Sequence, residues 1–375
     1  MRSLFRFLRD RRFSYESLVT VEISRERLLG NLDAFADALS PSRIAPVLKA
    51  NAYGHGLLEI AHIIDGHSHV SFLVVDSYFE ALQLRNEHVR SPILVIGHTL
   101  SRNIQRNNMR GIAFTVGSLS QLRDLAHMHV AVGVHLKFDT GMHRQGIMPD
   151  ELEDAVHIAQ KNPNLRIEGV CSHLADADGA DTEMTEKQIA VWNDIVKRWR
   201  AAVPQTKHYH LSATAGVRFT KNIDANTGRL GVGLYGVADV IPGLLPVLSM
   251  KTSITGVRTI QEGERVGYNG TWKAQSTTRV ATIPVGYYEG VDRRLSNKGF
   301  VQVRGIICPI IGRVSMNMTT VNVTDVPDVA EGDDVTVIGQ DPAKGNAVAH
   351  IAKICDTIPY EILVHLPTTL RRVVI

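Results

Sequence analysis

Short apolar runs alternate with amphipathic stretches from about Val19 to Val240. Apolar, β-branched runs of about four to eight residues indicate buried strands, whereas apolar positions spaced i, i+3, i+4 indicate helices. The alternation predicts βα units that build a parallel sheet. The candidate strands are Ile44–Leu48, Phe72–Val75, Ile93–Ile96, Ile112–Thr115, Val130–Phe138, Leu165–Ser172, Lys207–Leu211 and Arg229–Leu234. Because eight strands suit a closed ring, we expect an α/β fold of the (β/α)8 TIM-barrel type.

Helical spacing between these strands predicts the outer layer of the barrel. The candidate helices are Arg25–Leu39, Leu57–Asp65, Tyr78–Asn86, Leu119–His127, Asp150–Gln160 and Glu183–Ala201. After Ile241-Pro-Gly243, threonine, valine and isoleucine dominate, and helical periodicity nearly disappears until Val348–Cys355. We therefore expect a basic N-terminal extension at residues 1–17, a barrel at 18–243 and a mostly β domain at 244–375.

Composition narrows the class of protein. The chain has 375 residues, 44% of them hydrophobic and 21% charged, as in ordinary soluble globular proteins. A net charge of +3 is too small to indicate a nucleic-acid partner, and no apolar run of about eighteen residues predicts a membrane span. Cys171, Cys308 and Cys355 are far apart and form no paired motif, so we expect no disulfide framework, no metal site and a reducing cytoplasm.

The segment Met1–Ser17 departs from this pattern, because five arginines are interleaved with leucines and phenylalanines. It lacks the continuous apolar core of a signal peptide, and Asp10 and Glu16 weaken an interpretation as a transit peptide. A surface-packed or frayed extension is the preferred interpretation. A helix on a membrane surface is the alternative.

Lys49 lies where the first candidate strand ends and a glycine-containing turn begins, in VLKANAYGHG. A lysine taken alone at a strand end is more often salt-bridged or solvent-reaching than catalytic. In a βα barrel, however, the chemistry lies at the carboxyl ends of the strands. The residues that this rule selects are Lys49, Tyr53, Lys137, Arg144, His173, Thr214, Arg229 and Gly231.

Seven sequence blocks carry a family resemblance. They are VLKANAYGHG at 47–56, KFDTGMHRQG at 137–146, CSHLADAD at 171–178, GRLGVGLYG at 228–236, VGYNGT at 266–271, GYYEG at 286–290 and GRVSMN at 312–317. In this order they resemble the alanine racemases, and seven blocks across both predicted domains are far more specific than any one. The resemblance implies a barrel with a C-terminal β domain, a pyridoxal 5'-phosphate cofactor, a small amino-acid substrate and a head-to-tail homodimer with shared active sites.

The resemblance also implies roles for particular residues. Lys49 matches the family's Schiff-base lysine, which acts as a base on one face of the substrate Cα. Tyr268 matches the tyrosine that reaches the opposite face from the partner subunit. Arg229 matches the arginine facing the pyridine nitrogen. Because arginine only donates hydrogen bonds, that nitrogen has to accept and stays unprotonated. His173 is expected to hydrogen-bond Arg229, with a satisfied core histidine as an equal alternative.

Phosphate binding is expected from the hydroxyls of Tyr53, Thr214 and Tyr360 together with backbone N–H groups at Gly231 and Val232. The segment HLSATAG at residues 210–216 departs from many relatives, which carry asparagine and serine where this chain has alanine and threonine. The threonine keeps the hydroxyl.

Arg144 matches the arginine that contacts the cofactor's phenolic oxygen and the substrate carboxylate, for which a guanidinium fork is suited. Lys137 matches a lysine that is carbamylated in some members of the family, and pairing with Asp139 is the alternative. Met316, from the partner chain, and Tyr287 match residues that contact the substrate.

Two further departures lie near the expected entrance to the site. Asn317 replaces an aspartate of the alanine-specific pattern, and Tyr288-Glu289 replaces Ala-Asp. The loss of a carboxylate bears on discrimination against larger or polar amino acids.

The first hypothesis is therefore a racemase that interconverts L-alanine and D-alanine by two-base proton transfer, with a role in supplying D-alanine for peptidoglycan implied by the family. A broader serine or lysine racemase is the nearest alternative. A barrel-type decarboxylase does not need the opposing base, and a non-catalytic pyridoxal-phosphate homeostasis protein lacks a large β domain.

Overall fold

The computed structural model describes residues 16–107, 109–128 and 131–375. Within these ranges the chain divides into a unit of residues 24–247 and a second unit that joins the residues up to Ile23 with Leu248–Ile375. Almost all of the predicted N-terminal extension lies outside the described residues. No helix in the described part is both long and apolar enough to cross a membrane.

The first unit is a ring of parallel strands. After β1 (Thr20–Ile23), which belongs to the other unit, the ring strands are β2 Arg43–Pro46, β3 Leu73–Val75, β4 Ile93–Val95, β5 Ile112–Val116, β6 Val132–Lys137, β7 Leu165–Cys171, β8 His208–His210 and β9 Thr227–Leu230. Strands β3 to β8 pair in sequence order, and β2 pairs with β9. Backbone bonds from Leu48 N to Val74 O, at 2.7 Å, and from Arg229 N to Ser212 O, at 3.0 Å, join the two sets. The predicted parallel barrel is confirmed.

Helices cover the ring. They are α1 Arg25–Leu39, α2 Lys49–Tyr53, α3 Leu57–Ile64, α4 Tyr78–Asn86, α5 Ser101–Gln105, α6 Leu119–His127, α7 Leu152–Lys161 and α8 Glu183–Ala202. The six predicted helices lie within two residues of the observed ones, because most of them have an apolar face and three begin at a capping serine. The elements α2 and α5, of five residues each, are too short to show that periodicity, and in α2 the backbone of residues 50–53 is left-handed.

The predicted last strand, Arg229–Leu234, is wrong in its second half. The strand β9 ends at Leu230, and a 3-10 turn follows at Val232–Tyr235. All four residues of that turn are buried. A buried turn and a buried strand have the same apolar composition, so hydrophobicity alone could not separate them.

The second unit is mostly β, as predicted. Its further elements are β10 Leu248–Ser253, β11 Gly256–Ile260, β12 Arg265–Val266, β13 Trp272–Lys273, β14 Thr278–Ile283, β15 Phe300–Val303, β16 Ile306–Pro309, β17 Thr319–Asn322, β18 Asp334–Ile338, α9 Val348–Ile354, α10 Pro359–Val364 and β19 Arg371–Val374. The largest sheet has the order β16-β15-β18-β10-β1-β19. A three-stranded sheet, β11-β14-β17, and the hairpin β12-β13 complete the unit.

Strand β1 pairs antiparallel with β10 and parallel with β19. The predicted domain boundary assigned residues 20–23 to the barrel, whereas the structure places them in the β sheet. Their pairing partners lie more than two hundred residues away in the sequence. The local pattern at these four residues predicted no strand, and it could not identify the sheet that they join.

Candidate active site

Lys49 follows the end of β2 and opens a left-handed turn, which we define as residues 50–53. The four φ angles in this turn lie between 51° and 56°. Left-handed backbone costs an L-residue roughly 1–2 kcal/mol, so the turn stores strain next to Lys49. Hydrogen bonds hold it in place, from Ala52 N to Leu48 O at 2.7 Å and from Gly56 N to Asn51 O at 2.9 Å.

The charges of four side chains act on His173 at the carboxyl ends of the barrel strands. Burial lowers the pKa of His173 to about 3, and the charges of Arg229, Arg144, Lys137 and Lys49 add to this effect. Burial is also the main cause of a lowered pKa at Lys137. Like charges that converge in a partly buried mouth favour an anionic ligand. The structure thus brings together five of the residues selected from the sequence.

Arg229 is buried, and both of its terminal nitrogens donate hydrogen bonds to neighbouring groups. One terminal nitrogen donates to His210 O at 2.7 Å and to His210 Nδ1 at 2.6 Å. The other donates to Ser172 O, Leu211 O and His173 Nδ1, the last at 3.2 Å. The expected contact between Arg229 and His173 is therefore present, and it is one of five.

The stronger histidine partner of Arg229 is His210, which the sequence reasoning missed. Because arginine only donates, His210 Nδ1 accepts, and the ring proton resides on Nε2. That Nε2 lies 2.8 Å from His135 Nδ1, so a chain of Arg229, His210 and His135 crosses the barrel interior. Burial lowers the pKa of both histidines well below the ordinary value. The sequence did contain one indication of their role, because His135 and His210 both lie inside predicted strands.

A second group of residues, which includes two hydroxyls, lies beside the left-handed turn. Tyr53 is the last residue of the turn, and a Cβ added at Gly231 would lie 2.7 Å from its hydroxyl oxygen. Thr214 is buried, and its Oγ1 accepts from Gly233 N at 3.2 Å. Val232 begins the 3-10 turn that follows Gly231. Two hydroxyls therefore lie near the amino end of a turn, an arrangement that suits a phosphate.

The carboxylate of Asp139 shapes the loop that carries Arg144. Its Oδ1 accepts from Gly141 N at 2.9 Å and from His143 N at 3.1 Å. Burial raises the pKa of Asp139, but the backbone hydrogen bonds outweigh this effect, so the pKa is lowered overall. Among the described ion pairs within 4 Å, none joins Asp139 to Lys137.

The remaining predicted site residues lie in the β unit. Tyr268 follows Gly267 in the hairpin β12-β13 and is 68% exposed, and Met316 is 54% exposed. Tyr287 is exposed, and Tyr360, on α10, is also exposed at 39%. Aromatic and methionine side chains exposed to this extent are typical of a surface that binds a partner.

The two sequence departures in the β unit contact each other. Asn317 Nδ2 donates to Glu289 Oε1 at 2.7 Å, and Glu289 Oε2 accepts from Gly286 N at 2.8 Å. Backbone bonds from Tyr287 N to Ser315 O and from Tyr288 N to Met316 O join the same two segments. The amide at 317 thus supplies a donor to a carboxylate where an aspartate could only accept.

A barrel with a cation-lined mouth at the carboxyl ends of its parallel strands is typical of an enzyme that binds an anionic small molecule. Two family models match the chain, the alanine racemase N-terminal domain over residues 23–239 and the alanine racemase C-terminal domain over residues 247–374. The chain belongs to the alanine racemase family.

Individual relatives are similar over nearly the whole chain. Alanine racemase of Syntrophobacter fumaroxidans is 36% identical over 91% of this chain and 93% of its own, and that of Sorangium cellulosum is 33% identical over 94% and 97%. The crystal structure of alanine racemase from Bacillus anthracis with bound L-Ala-P has a TM-score of 0.86 at 28% identity, covering 97% of this chain and 96% of its own. That from Bartonella henselae, with covalently bound pyridoxal phosphate, has a TM-score of 0.83 at 26% identity, covering 96% and 100%.

The neutral buried histidines predict how stability depends on pH. His173 has a pKa of about 3 in the folded protein against an ordinary value of 6.5, so the unfolded chain binds more protons between these values. Stability should therefore fall as the pH falls from 6.5 towards 3. Urea unfolding midpoints between pH 7 and pH 5 will measure this slope. The variant His135→Asn, which removes one such histidine, should flatten it.

The matched control is His127→Asn, since His127 is exposed at the end of α6. Its slope should equal that of the wild type. Equal slopes in all three proteins would contradict a contribution from His135.

The Asn317–Glu289 contact predicts the effect of reversing the departure. Asn317→Asp would set two carboxylates within hydrogen-bond distance, and like charges this close repel each other. We expect a loss of about 0.5–1 kcal/mol in unfolding free energy at pH 8 and a smaller loss at pH 5. The double variant Asn317→Asp/Glu289→Gln restores a donor and an acceptor, so it should recover most of the loss. Equal stability of all three proteins at both pH values would rule out the interaction.

Proposed function

We propose that the protein interconverts L-alanine and D-alanine by moving a proton at Cα, with Lys49 and Tyr268 acting on opposite faces of the substrate. Family membership supports the racemase activity and the pyridoxal 5'-phosphate cofactor. The observation that carries the proposal is the convergence of Lys49, Lys137 and two arginines on one barrel mouth.

The described residues fit the cofactor in each of its parts. Lys49 supplies the amine, and the hydroxyls of Tyr53 and Thr214 beside Gly231 and Val232 suit the phosphate. Arg144 and Arg229 supply guanidinium groups for the phenolic oxygen and the ring nitrogen. Tyr360 is proposed as a further phosphate ligand. When bound, pyridoxal phosphate supplies the electron sink that acidifies the Cα–H bond of the substrate.

The residues of the chain divide the proton transfer between them. Lys49 Nζ removes or returns the proton on one face, and the phenol oxygen of Tyr268 does so on the other. Arg229 can donate a hydrogen bond to the ring nitrogen but cannot give up its proton, so it leaves that nitrogen unprotonated. His210 and His173 accept from Arg229 and fix its orientation.

We propose further that Lys137 is carbamylated. Burial favours its neutral amine, which is the form that reacts with carbon dioxide. The resulting carboxylate would orient Arg144, whose charge contributes to the lowered pKa of Lys137. Asp139 is occupied by backbone donors and is poorly placed to do so. Intact-protein mass spectrometry of wild type and Lys137→Ala checks for the added group.

The proposed assembly is a head-to-tail homodimer in which Tyr268 and Met316 enter the partner's barrel mouth. Their high exposure supports this arrangement, because both would be covered on dimerisation. Tyr287 is proposed to lie at the entrance of the same site. A cytoplasmic role in supplying D-alanine for peptidoglycan belongs to the same proposal.

A broader amino-acid racemase is the second candidate, and it is favoured by Asn317 and Glu289. Their contact replaces one carboxylate of the alanine-specific pattern with an amide. Racemisation rates for alanine, serine, lysine and arginine separate the two. A higher kcat/KM for serine or lysine than for alanine would reject alanine as the main substrate.

The two-base scheme predicts a specific phenotype for Tyr268→Phe. Racemisation should fall by about 10²–10⁴-fold in both directions, while the visible absorbance of the bound cofactor persists. Lys49 remains, so the variant should still exchange the Cα proton of one enantiomer with deuterated solvent. Exchange is followed by mass spectrometry and racemisation by circular dichroism. Unchanged racemisation in both directions would refute the scheme.

The shared site predicts complementation between two inactive variants. A heterodimer of Lys49→Ala and Tyr268→Phe subunits contains one complete site and one site that lacks both bases. Mixing the variants in equal amounts, with subunit exchange, should restore about a quarter of the wild-type activity. Each variant alone is the control. No recovery in a mixture shown by native mass spectrometry to contain heterodimers would rule out sites built from two subunits.

A further inference from the structure

Glu80 lies in the first turn of α4 and uses both carboxylate oxygens. Its Oε2 accepts from Asp76 N at 2.9 Å and from Ser77 N at 3.0 Å, while Ser77 Oγ accepts in return from Glu80 N at 3.2 Å. This reciprocal pair is a capping box, which stabilises the start of a helix. The box requires only one oxygen of Glu80.

The second oxygen reaches a different part of the barrel. Glu80 Oε1 accepts from Ala50 N at 2.9 Å, and Ala50 is the first residue of the left-handed turn. That N–H belongs to the peptide bond between Lys49 and Ala50. Fixing this peptide plane fixes the backbone of Lys49 on its carboxyl side, and with it the direction in which the lysine side chain leaves the chain.

The rest of the turn is secured on its downstream side. Asn51 Oδ1 accepts from Leu57 N at 2.9 Å, and Gly54 N donates to Ala50 O at 3.1 Å. Glu80 supplies the contact at the upstream end, where the strain begins. A backbone conformation that is intrinsically unfavourable persists only where its surroundings hold it, so an acceptor at this point has a mechanical role.

We propose that Glu80 is a positioning residue for Lys49, bracing the strained turn so that the lysine amine is held in its reactive place. The inference rests on the proposed role of Lys49. A carboxylate suits the position because it receives three backbone donors on two oxygens. A glutamine would turn its NH₂ group towards at least one of them.

The test compares Glu80→Gln with Ser77→Ala, which weakens the same helix cap but leaves the contact with Ala50. Amide hydrogen exchange of a peptide covering residues 49–56 is measured on the protein as purified, together with kcat, KM and thermal unfolding. Glu80→Gln should speed exchange at the turn by about tenfold and lower kcat by about tenfold, with a smaller change in KM. Ser77→Ala should lower thermal stability and leave turn exchange and kcat close to wild type.

Glu80→Asp tests whether the length of the side chain matters, because aspartate keeps the charge but is one methylene shorter. It should resemble Glu80→Gln, and it replaces Glu80→Gln in the comparison if the latter does not fold. Equal effects of the Ser77 and Glu80 variants would overturn the proposal, as would faster turn exchange with unchanged kcat. If the wild type itself lacks racemase activity, the proposed function fails separately, and unchanged turn exchange in the Glu80 variants would still reject the brace.

Discussion

The arrangement of the barrel mouth depends on the hydrogen bonds of the buried Arg229 guanidinium. A permanent charge can be buried only if its donors are satisfied, and this one has five contacts with the carbonyls and histidines that end β7 and β8. Burial lowers the pKa of its histidine neighbours, and the charge of Arg229 adds to this effect. Three other cations then share the mouth with it, so the site is built to receive negative charge.

Sequence periodicity predicted most of the barrel because its strands and longer helices are local in the sequence and strongly patterned. Helix α1, for example, has Ser24 as its cap and a continuous apolar face, and it was predicted at its observed bounds. Residues 20–23, where no strand was predicted, were assigned to the barrel, whereas they form β1 of the other unit with partners that are distant in the sequence. The apolar segment after β9 was taken as strand, because burial hides the difference between a turn and a strand.

The candidate site shows the same division. Motifs selected Lys49, Arg229 and His173, which the fold brings close together. They did not reveal His210 and His135, whose importance comes from pairing across the ring rather than from neighbours in the chain. The left-handed turn was equally invisible, because alanine and tyrosine seldom adopt positive φ and no composition signal marks it. Tertiary hydrogen bonds impose that conformation.

The position of β1 between β10 and β19 also orders events during synthesis. All of the barrel residues, 24–247, are synthesised before either neighbour of β1 exists. The barrel can therefore fold first, because domains generally fold as units in the order of their synthesis. During this time both edges of β1 remain unpaired. The β sheet is completed only when Arg371–Val374 arrive, so a nascent chain stalled after the barrel would present an open strand for aggregation or chaperone capture.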